Sequence, residues 1–327
     1  LEAQRDDMDR ALELVDLAIE LDSKNPDSYI LKATFLNRQQ KVEALTQVLD
    51  QALLDFPDHS RLNSVYAHLV ESRAGKLKAA EERLKLALER DPFIEQAWRF
   101  LGRVQERMQR FNEAENSYRQ GLKARADDAE LHGNLGHLLA RLGRLEEAEV
   151  QLREAIRLSN TPRSELHVSL GGILAEQGRF EQAQREYDKV LDLEPNHPGA
   201  RNNAAIALYR SGRAEEAKAM LKAVVEAYPR HADAHNNLAA IAVDQQDWPA
   251  AIEHSQRTLE LAPRLVEAWN NLAIAQEESG LLTEAKSSYE SALKLDSEYW
   301  PAYFNVAILL TKTSEFDQAI AMFDEVL

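Results

Sequence analysis

The sequence runs to 327 residues, 44% of them apolar and 29% charged, with a formal net charge of −16 and no cysteine. That balance belongs to a folded, helix-rich chain rather than a disordered one, and the missing thiols exclude disulfides, thiolate nucleophiles, zinc fingers and iron–sulfur ligation by this chain. The acidic charge repels phosphate backbones and anionic membrane surfaces, which sets nucleic acid aside and favours a basic partner where charge decides.

Taken in order, Leu1 to Asn25 carries apolar residues at helical spacing and reads as the second helix of a partial repeat. From Pro26 the chain falls into a 34-residue register, with full periods beginning near Pro26, Ser60, Glu95, Ala129, Ser164, Pro198, Ala232 and Val266, and an incomplete last one over Trp300 to Leu327. Pro57, Pro92, Pro195, Pro229 and Pro263 close similar apolar runs, and single-residue insertions fall near Gly75 and Thr161. The first two periods fit worst, with Ala33 and Ala67 at their small position and no clean turn. Because the chain opens on Leu1 and stops at Leu327 inside helical patterns, it reads as an excerpt of a longer protein.

Inside each later period a large-then-small pair returns: Leu101-Gly102, Leu135-Gly136, Leu170-Gly171, Ala204-Ala205, Leu238-Ala239, Leu272-Ala273 and Val306-Ala307. An alanine follows each small residue at a fixed distance, at Ala114, Ala148, Ala183, Ala217, Ala251, Ala285 and Ala319. Two antiparallel helices approach closely only where side chains are short. A mid-helix glycine costs up to about 1 kcal/mol against alanine, so its return at one position implies a packing benefit. Between the helices sit Gly143, Gly178, Gly212 and Gly280, each suited to a left-handed C-cap.

The run Trp269-x-x-Leu272-Ala273, with Gly280, Ala285, Tyr289, Ala292 and Ser297, resembles a tetratricopeptide repeat at nearly every signature position. Trp98, Leu101, Gly102, Ala114, Tyr118 and Gly121 make a second good match, and the resemblance extends over essentially the whole chain. It implies an all-α solenoid of antiparallel hairpins stacked into a right-handed superhelix, residues 1–327 forming one array. First helices would line a concave groove and second helices its outer wall.

Placed in that frame, an asparagine stands just before the large-small pair at Asn134, Asn203, Asn237, Asn271 and Asn305, preceded in three cases by Asn202, Asn236 and Asn270. A carboxamide both donates and accepts, so it can pair with a passing peptide backbone whatever its sequence; the alternative is a bond to a neighbouring helix or to water. Packed helices lie roughly 8–10 Å apart and an extended chain advances about 3.3 Å per residue. One asparagine would therefore meet about every third peptide residue. The Asn-Leu-Gly and Asn-Leu-Ala runs resemble the asparagine ladder of O-GlcNAc transferases, a family that holds client polypeptides by their backbone. One turn on, Ile206, Ala240, Ile274 and Ile308 form an apolar floor beside the ladder or belong to the inter-helix core. Arg99, Arg103 and Arg107 share one helical face, and Arg99 and Arg103 fall at groove positions able to grip a carboxylate. This resembles a carboxylate clamp incompletely, since Glu165 and Ser169 stand where basic residues are wanted.

His132, His167 and His235 occupy the slot that Trp98 and Trp269 fill elsewhere, which points to helix packing and not to a metal. No His-Glu-x-x-His, Gly-x-x-x-x-Gly-Lys or Gly-x-Ser-x-Gly run occurs. The expectation is therefore a non-enzymatic scaffold without cofactor or metal, taking a protein or extended peptide in its groove. The alternatives are a substrate-recruiting arm of a larger enzyme, such as a glycosyltransferase, and a self-assembly module forming homo-oligomers. Composition does not choose between cytoplasm and periplasm.

Overall fold

The computed structural model describes residues 2–94 and 96–324; the repeat start read at Glu95 and the end read at Leu327 lie outside them. The described residues contain no strand, and no helix among them is long and apolar enough to cross a membrane. Two compact units divide the chain, Leu1–Leu166 and His167–Leu327. The first holds α1 (Glu2–Leu21), α2 (Pro26–Arg38), α3 (Val42–Asp55), α4 (Ser60–Tyr66) with a π-helix (Ala67–Ser72) continuing it, α5 (Leu77–Arg90), α6 (Ala97–Arg107), α7 (Phe111–Ala124), α8 (Ala129–Arg141) and α9 (Leu145–Leu158). Then come α10 (Ser164–Glu176), α11 (Phe180–Leu193), α12 (Pro198–Arg210), α13 (Ala214–Ala227), α14 (Ala232–Asp244), α15 (Trp248–Leu261), α16 (Val266–Glu278), α17 (Leu282–Leu295), α18 (Trp300–Lys312) and α19 (Phe316–Asp324). Even-numbered helices are the first arms of hairpins and odd-numbered ones the second arms. Within each unit, first helices also pack on the next first helix, as α2 on α4 and α4 on α6, or α12 on α14, α14 on α16 and α16 on α18. This is an all-α tetratricopeptide-type solenoid packing.

The large-small pairs do what their sizes dictate. Gly102, Gly136, Gly171, Ala205, Ala239, Ala273 and Ala307 are all buried, and the recurrent alanines of the second helices, Ala114 to Ala285, have no exposed surface. Sixteen residues after Gly102 and Gly171 come Tyr118 and Tyr187, whose rings lie so close that a Cβ on either glycine would fall 2.3 or 2.5 Å from a ring carbon. The helices there stand at the distance a missing methyl permits.

Each hairpin turn carries one left-handed residue. Gly75, Gly143, Gly178, Gly212 and Gly280 have φ of +74 to +87°, and Gln40, Gln109, Gln246 and Ser314 hold the same place with φ of 58 to 65°. The two poorly fitting early periods thus have the same turn, at Gln40 and Gly75. An L-residue pays roughly 1–2 kcal/mol for this conformation, less the extra unfolded-state freedom of glycine. Gln246→Gly is therefore expected to stabilise the chain by about 1 kcal/mol, read as a higher urea midpoint; a lower midpoint would show that the glutamine side chain contributes more than its backbone costs.

The extra residue counted near Gly75 is absorbed inside the first arm, where the helix widens into the π-turn Ala67–Ser72. A π-turn is how one inserted residue is accommodated without breaking a helix. The insertion near Thr161 instead lengthens the loop between Leu158 and Ser164.

Candidate functional site

The slot occupied by tryptophan or histidine makes the same bond at four of its positions, and Asn63 and Tyr29 make it in the early repeats. Trp98 Nε1 donates to the carbonyl of Pro92 at 2.9 Å, and Trp269 Nε1 to that of Pro263 at 3.0 Å. His132 and His235 bring Nε2 to the carbonyls of Ala126 and Pro229 at 3.0 and 3.3 Å, Asn63 brings Nδ2 to Pro57 at 2.8 Å, and Tyr29 its hydroxyl to Ser23 at 3.3 Å. Every partner lies six residues back, at the end of the preceding second helix. These side chains tie their hairpins to the preceding ones and satisfy a carbonyl that the helix end leaves open. Nδ1 of the slot histidines reaches across the hairpin: His167 Nδ1 meets Glu186 Oε2 at 2.8 Å and His235 Nδ1 meets His254 Nδ1 at 3.2 Å. Burial, ahead of other causes, lowers the pKa of both His235 and His254.

Asn203, Asn237, Asn271 and Asn305 stand on α12, α14, α16 and α18 in His167–Leu327, and Asn134 stands on α8 in Leu1–Leu166; all five are partly exposed. Three of them are held. Asn237 Nδ2 donates to Asn202 Oδ1 at 2.9 Å, Asn271 Nδ2 to Asn236 Oδ1 at 3.3 Å, and Asn305 Nδ2 to Asn270 Oδ1 at 3.0 Å. Asn202 in turn donates to Asn203 Oδ1 at 3.2 Å. The adjacent asparagines, with Asn202 and Asn270 only 7% exposed, are thus acceptors that fix the next rung's orientation. A carboxamide has two N–H groups and an oxygen with two lone pairs, so each held rung keeps one N–H and its Oδ1 unspent. Ile206, Ala240, Ile274 and Ile308 are half-buried on the same helices, and Ile274 packs against the cluster built on Ala273, Tyr289 and Val306, so it is shared between surface and core.

The arginine face is less open than its spacing suggests. Arg99 pairs with Glu130 at 3.1 Å and is 14% exposed. Arg107 donates to the carbonyl and hydroxyl of Ser72 at 2.6 and 2.8 Å. Arg103 is exposed and makes no ion pair among the described residues. A two-arginine grip by Arg99 and Arg103 is therefore reduced to Arg103, because Arg99 already neutralises a carboxylate from α8. The sequence reading missed what lies beside these residues: His68, in the π-helix, stacks on Phe100 at 3.8 Å between centroids. The only trace in sequence was the one-residue departure from register.

Adjacent carboxylates stand at two helix starts, Glu146-Glu147 and Glu215-Glu216, and one of each is ion-paired, Glu147 with Arg144 at 2.7 Å and Glu216 with Arg213 at 2.6 Å. The hydrogen-bonding guanidinium holds each carboxyl below its ordinary value. Neither Glu147 nor Glu216 is poised for proton transfer near neutrality.

Three family models, each described as tetratricopeptide repeat, match the sequence: one over residues 174–241, one over 230–298, and one over both 101–162 and 270–327. Together they span more than half of the chain. No curated protein matches it. Among solved structures, a tetratricopeptide repeat protein from Parabacteroides merdae is similar with a TM-score of 0.62 at 18% identity, over 72% of this chain and 93% of its own. The Cut9–Hcn1 hetero-tetramer of the APC/C also gives 0.62, at 15% identity, over 93% of this chain and 60% of that one. At these identities the likeness is one of fold.

Proposed function

The chain belongs to the tetratricopeptide repeat family, a family of protein–protein interaction scaffolds, and from that premise we propose that it binds an extended polypeptide through the asparagines of α12, α14, α16 and α18. The observation that carries this reading is the pairing of Asn237, Asn271 and Asn305 with the asparagine of the preceding hairpin. Those bonds pre-orient the carboxamides and leave on each an N–H and an oxygen, the complement of a peptide's own C=O and N–H. Orientation fixed before binding lowers the entropy lost on association. Each backbone hydrogen bond contributes about 0.5–1.5 kcal/mol net, and ordering the peptide offsets much of the sum, so moderate affinity is expected. Ile206, Ile274 and Ile308 would supply apolar contacts beside the rungs, and Asn134 would act separately within Leu1–Leu166.

Replacing Asn237, Asn271 and Asn305 together by alanine is expected to weaken a captured peptide about tenfold, equivalent to about 1.4 kcal/mol, with helical circular dichroism unchanged. Because the substitution also strips donors from buried Asn202 and Asn270, melting is followed in parallel. Asn270→Ala alone should weaken binding less, through loss of orientation at Asn305. Unchanged affinity in the triple variant would remove the asparagines from recognition.

A further inference from the structure

Three hairpins carry one joint in three chemical versions. His132 Nδ1 meets Gln151 Oε1 at 2.8 Å, His167 Nδ1 meets Glu186 Oε2 at 2.8 Å, and His235 Nδ1 meets His254 Nδ1 at 3.2 Å. In each the histidine stands on the first helix and its partner on the second. Acid acts on the three differently. The amide of Gln151 does not titrate. The carboxyl of Glu186 stays below its ordinary value, because burial opposes ionisation but bonds from Lys189 and His167 outweigh it. A proton on His167 therefore tightens that joint. The third joint sets one base against another.

The contacts of that joint fix how many protons it can hold. His235 Nε2 lies 3.3 Å from the carbonyl of Pro229, and a carbonyl oxygen only accepts, so Nε2 carries the hydrogen and neutral His235 leaves Nδ1 bare. His254 then donates its Nδ1–H to His235. One added proton is accommodated: it enters at His254 Nε2, and the bond between the rings becomes charge-assisted. A second proton can enter only at His235 Nδ1. It sets two N–H groups and two positive charges against each other across 3.2 Å, and the bond is lost. His235 is 8% exposed, so little water screens the second charge. Burial comes first among the causes that hold both imidazoles below the ordinary histidine value. The charged groups about the pair are of both signs: Arg257, Glu253 and Asp247 from α15, His231 at the start of α14, and Lys222 from α13. Arg257 is engaged with Glu260 at 2.5 Å and Asp247 with Lys218 at 3.8 Å.

This joint adjoins the asparagines. His235 is followed in α14 by Asn236, which accepts from Asn271 at 3.3 Å, and by Asn237, which donates to Asn202 at 2.9 Å. We propose that the His235–His254 pair is an acid-operated release: once both rings carry a proton, α14 parts from α15, Asn236 and Asn237 leave their neighbours, and the polypeptide on the asparagines is let go. This release rests on the reading that the asparagines hold a polypeptide. The joints of His132 and His167 persist in acid, so the change is confined to one hairpin and the array reloads when the pH returns.

The test uses the whole chain and a tetramethylrhodamine-labelled, C-amidated peptide of four Ser-Val-Thr repeats, whose side chains do not titrate. Anisotropy is expected to show binding at pH 7.5 that weakens about tenfold at pH 5.0, within the limit of about tenfold per pH unit for each linked proton. Amide exchange in α14, corrected for its intrinsic pH dependence, should accelerate more than in α8. His254→Gln installs the joint that His132 makes with Gln151, so it should keep the affinity at pH 7.5 and lose less than about twofold at pH 5.0. His254→Ser places there the residue found at Ser117 and Ser288; it too should lose the acid response, whatever its affinity at pH 7.5. Equal weakening in the parent and both variants overturns the proposal and leaves the asparagine reading standing, as does binding that is the same at both pH values. Affinity that does not return with pH 7.5 marks acid unfolding and also overturns it. Absence of binding at pH 7.5 instead removes the asparagine reading, and the release with it.

Discussion

Gly102→Ala is expected to destabilise the chain by about 1–3 kcal/mol, although helix propensity alone predicts a gain of up to about 1 kcal/mol. The sign decides between the two effects. A Cβ at position 102 would sit 2.3 Å from Tyr118 Cε1 and 2.6 Å from Cζ. Tyr118 has no exposed surface, and its hydroxyl is tied to Glu106, so the ring has nowhere to go and α6 and α7 must separate. Gly171 faces Tyr187 in the same way, at 2.5 Å. The chain contains its own remedy: at the equivalent positions Ala205 is matched by Leu221, both fully buried. Gly102→Ala combined with Tyr118→Leu should therefore be less destabilised than the two single changes predict, with a coupling of at least about 1 kcal/mol by double-mutant cycle. Ala273 opposite Tyr289 shows that a hairpin can be built around a tyrosine and a methyl together, so the cost at 102 is that of shifting helices already seated. Chemical unfolding of the four proteins of the cycle checks this; a rise in stability for Gly102→Ala would mean that glycine recurs for some reason other than packing.

The imidazole of His68 is expected to stay neutral down to about pH 4. Burial pushes its pKa from 6.5 to about 4, and the positive charges of Arg103, Arg73, Arg99 and Arg107 push the same way. The folded value lies below the unfolded one. Above pH 6.5 the ring is neutral in both states and contributes no pH dependence; as pH falls from 6.5 towards 4 the unfolded chain takes up the proton first, so stability declines across that window and levels off below it. At 1.36 kcal/mol per pH unit the loss reaches up to about 3 kcal/mol. A direct titration of the His68 ring by NMR reads the midpoint. His68→Phe keeps a ring on Phe100 without the titration, so it should lose less stability than the parent between pH 7 and 4, judged by hydrogen exchange in α6. Parallel losses in the two proteins would place the acid sensitivity elsewhere. Burial lowers His137, His235 and His254 as well, and they add to the trend with the same sign.

What could be read from the sequence follows from which interactions leave a local trace. Close helix approach does, since it demands a small residue at a fixed place, and Gly102, Ala205 and Ala273 stand where spacing put them. The left-handed turn is legible where it is glycine, as at Gly178, and hidden where Gln109 or Gln246 adopts it. One extra residue before Gly75 was countable, but its absorption into a π-turn at Ala67–Ser72 was not, because the choice between loop and helix depends on what the side chains pack against. The asparagines were legible as a surface feature. That Asn270 accepts from Asn305, or that Glu130 occupies Arg99, requires the rotation of one helix against the next, which no spacing within a single helix contains.

The ties made by Trp98, His132, His235 and Trp269 ask nothing of the preceding hairpin except a peptide carbonyl. Such a joint is blind to its neighbour's side chains. A block of this chain can accordingly be copied, dropped or transplanted by recombination, and the seam closes wherever the incoming block brings one ring or amide N–H to the right spot. Lengthening by gene duplication then needs no compensating change at the junction, and the individual faces are left free to diverge towards different cargoes.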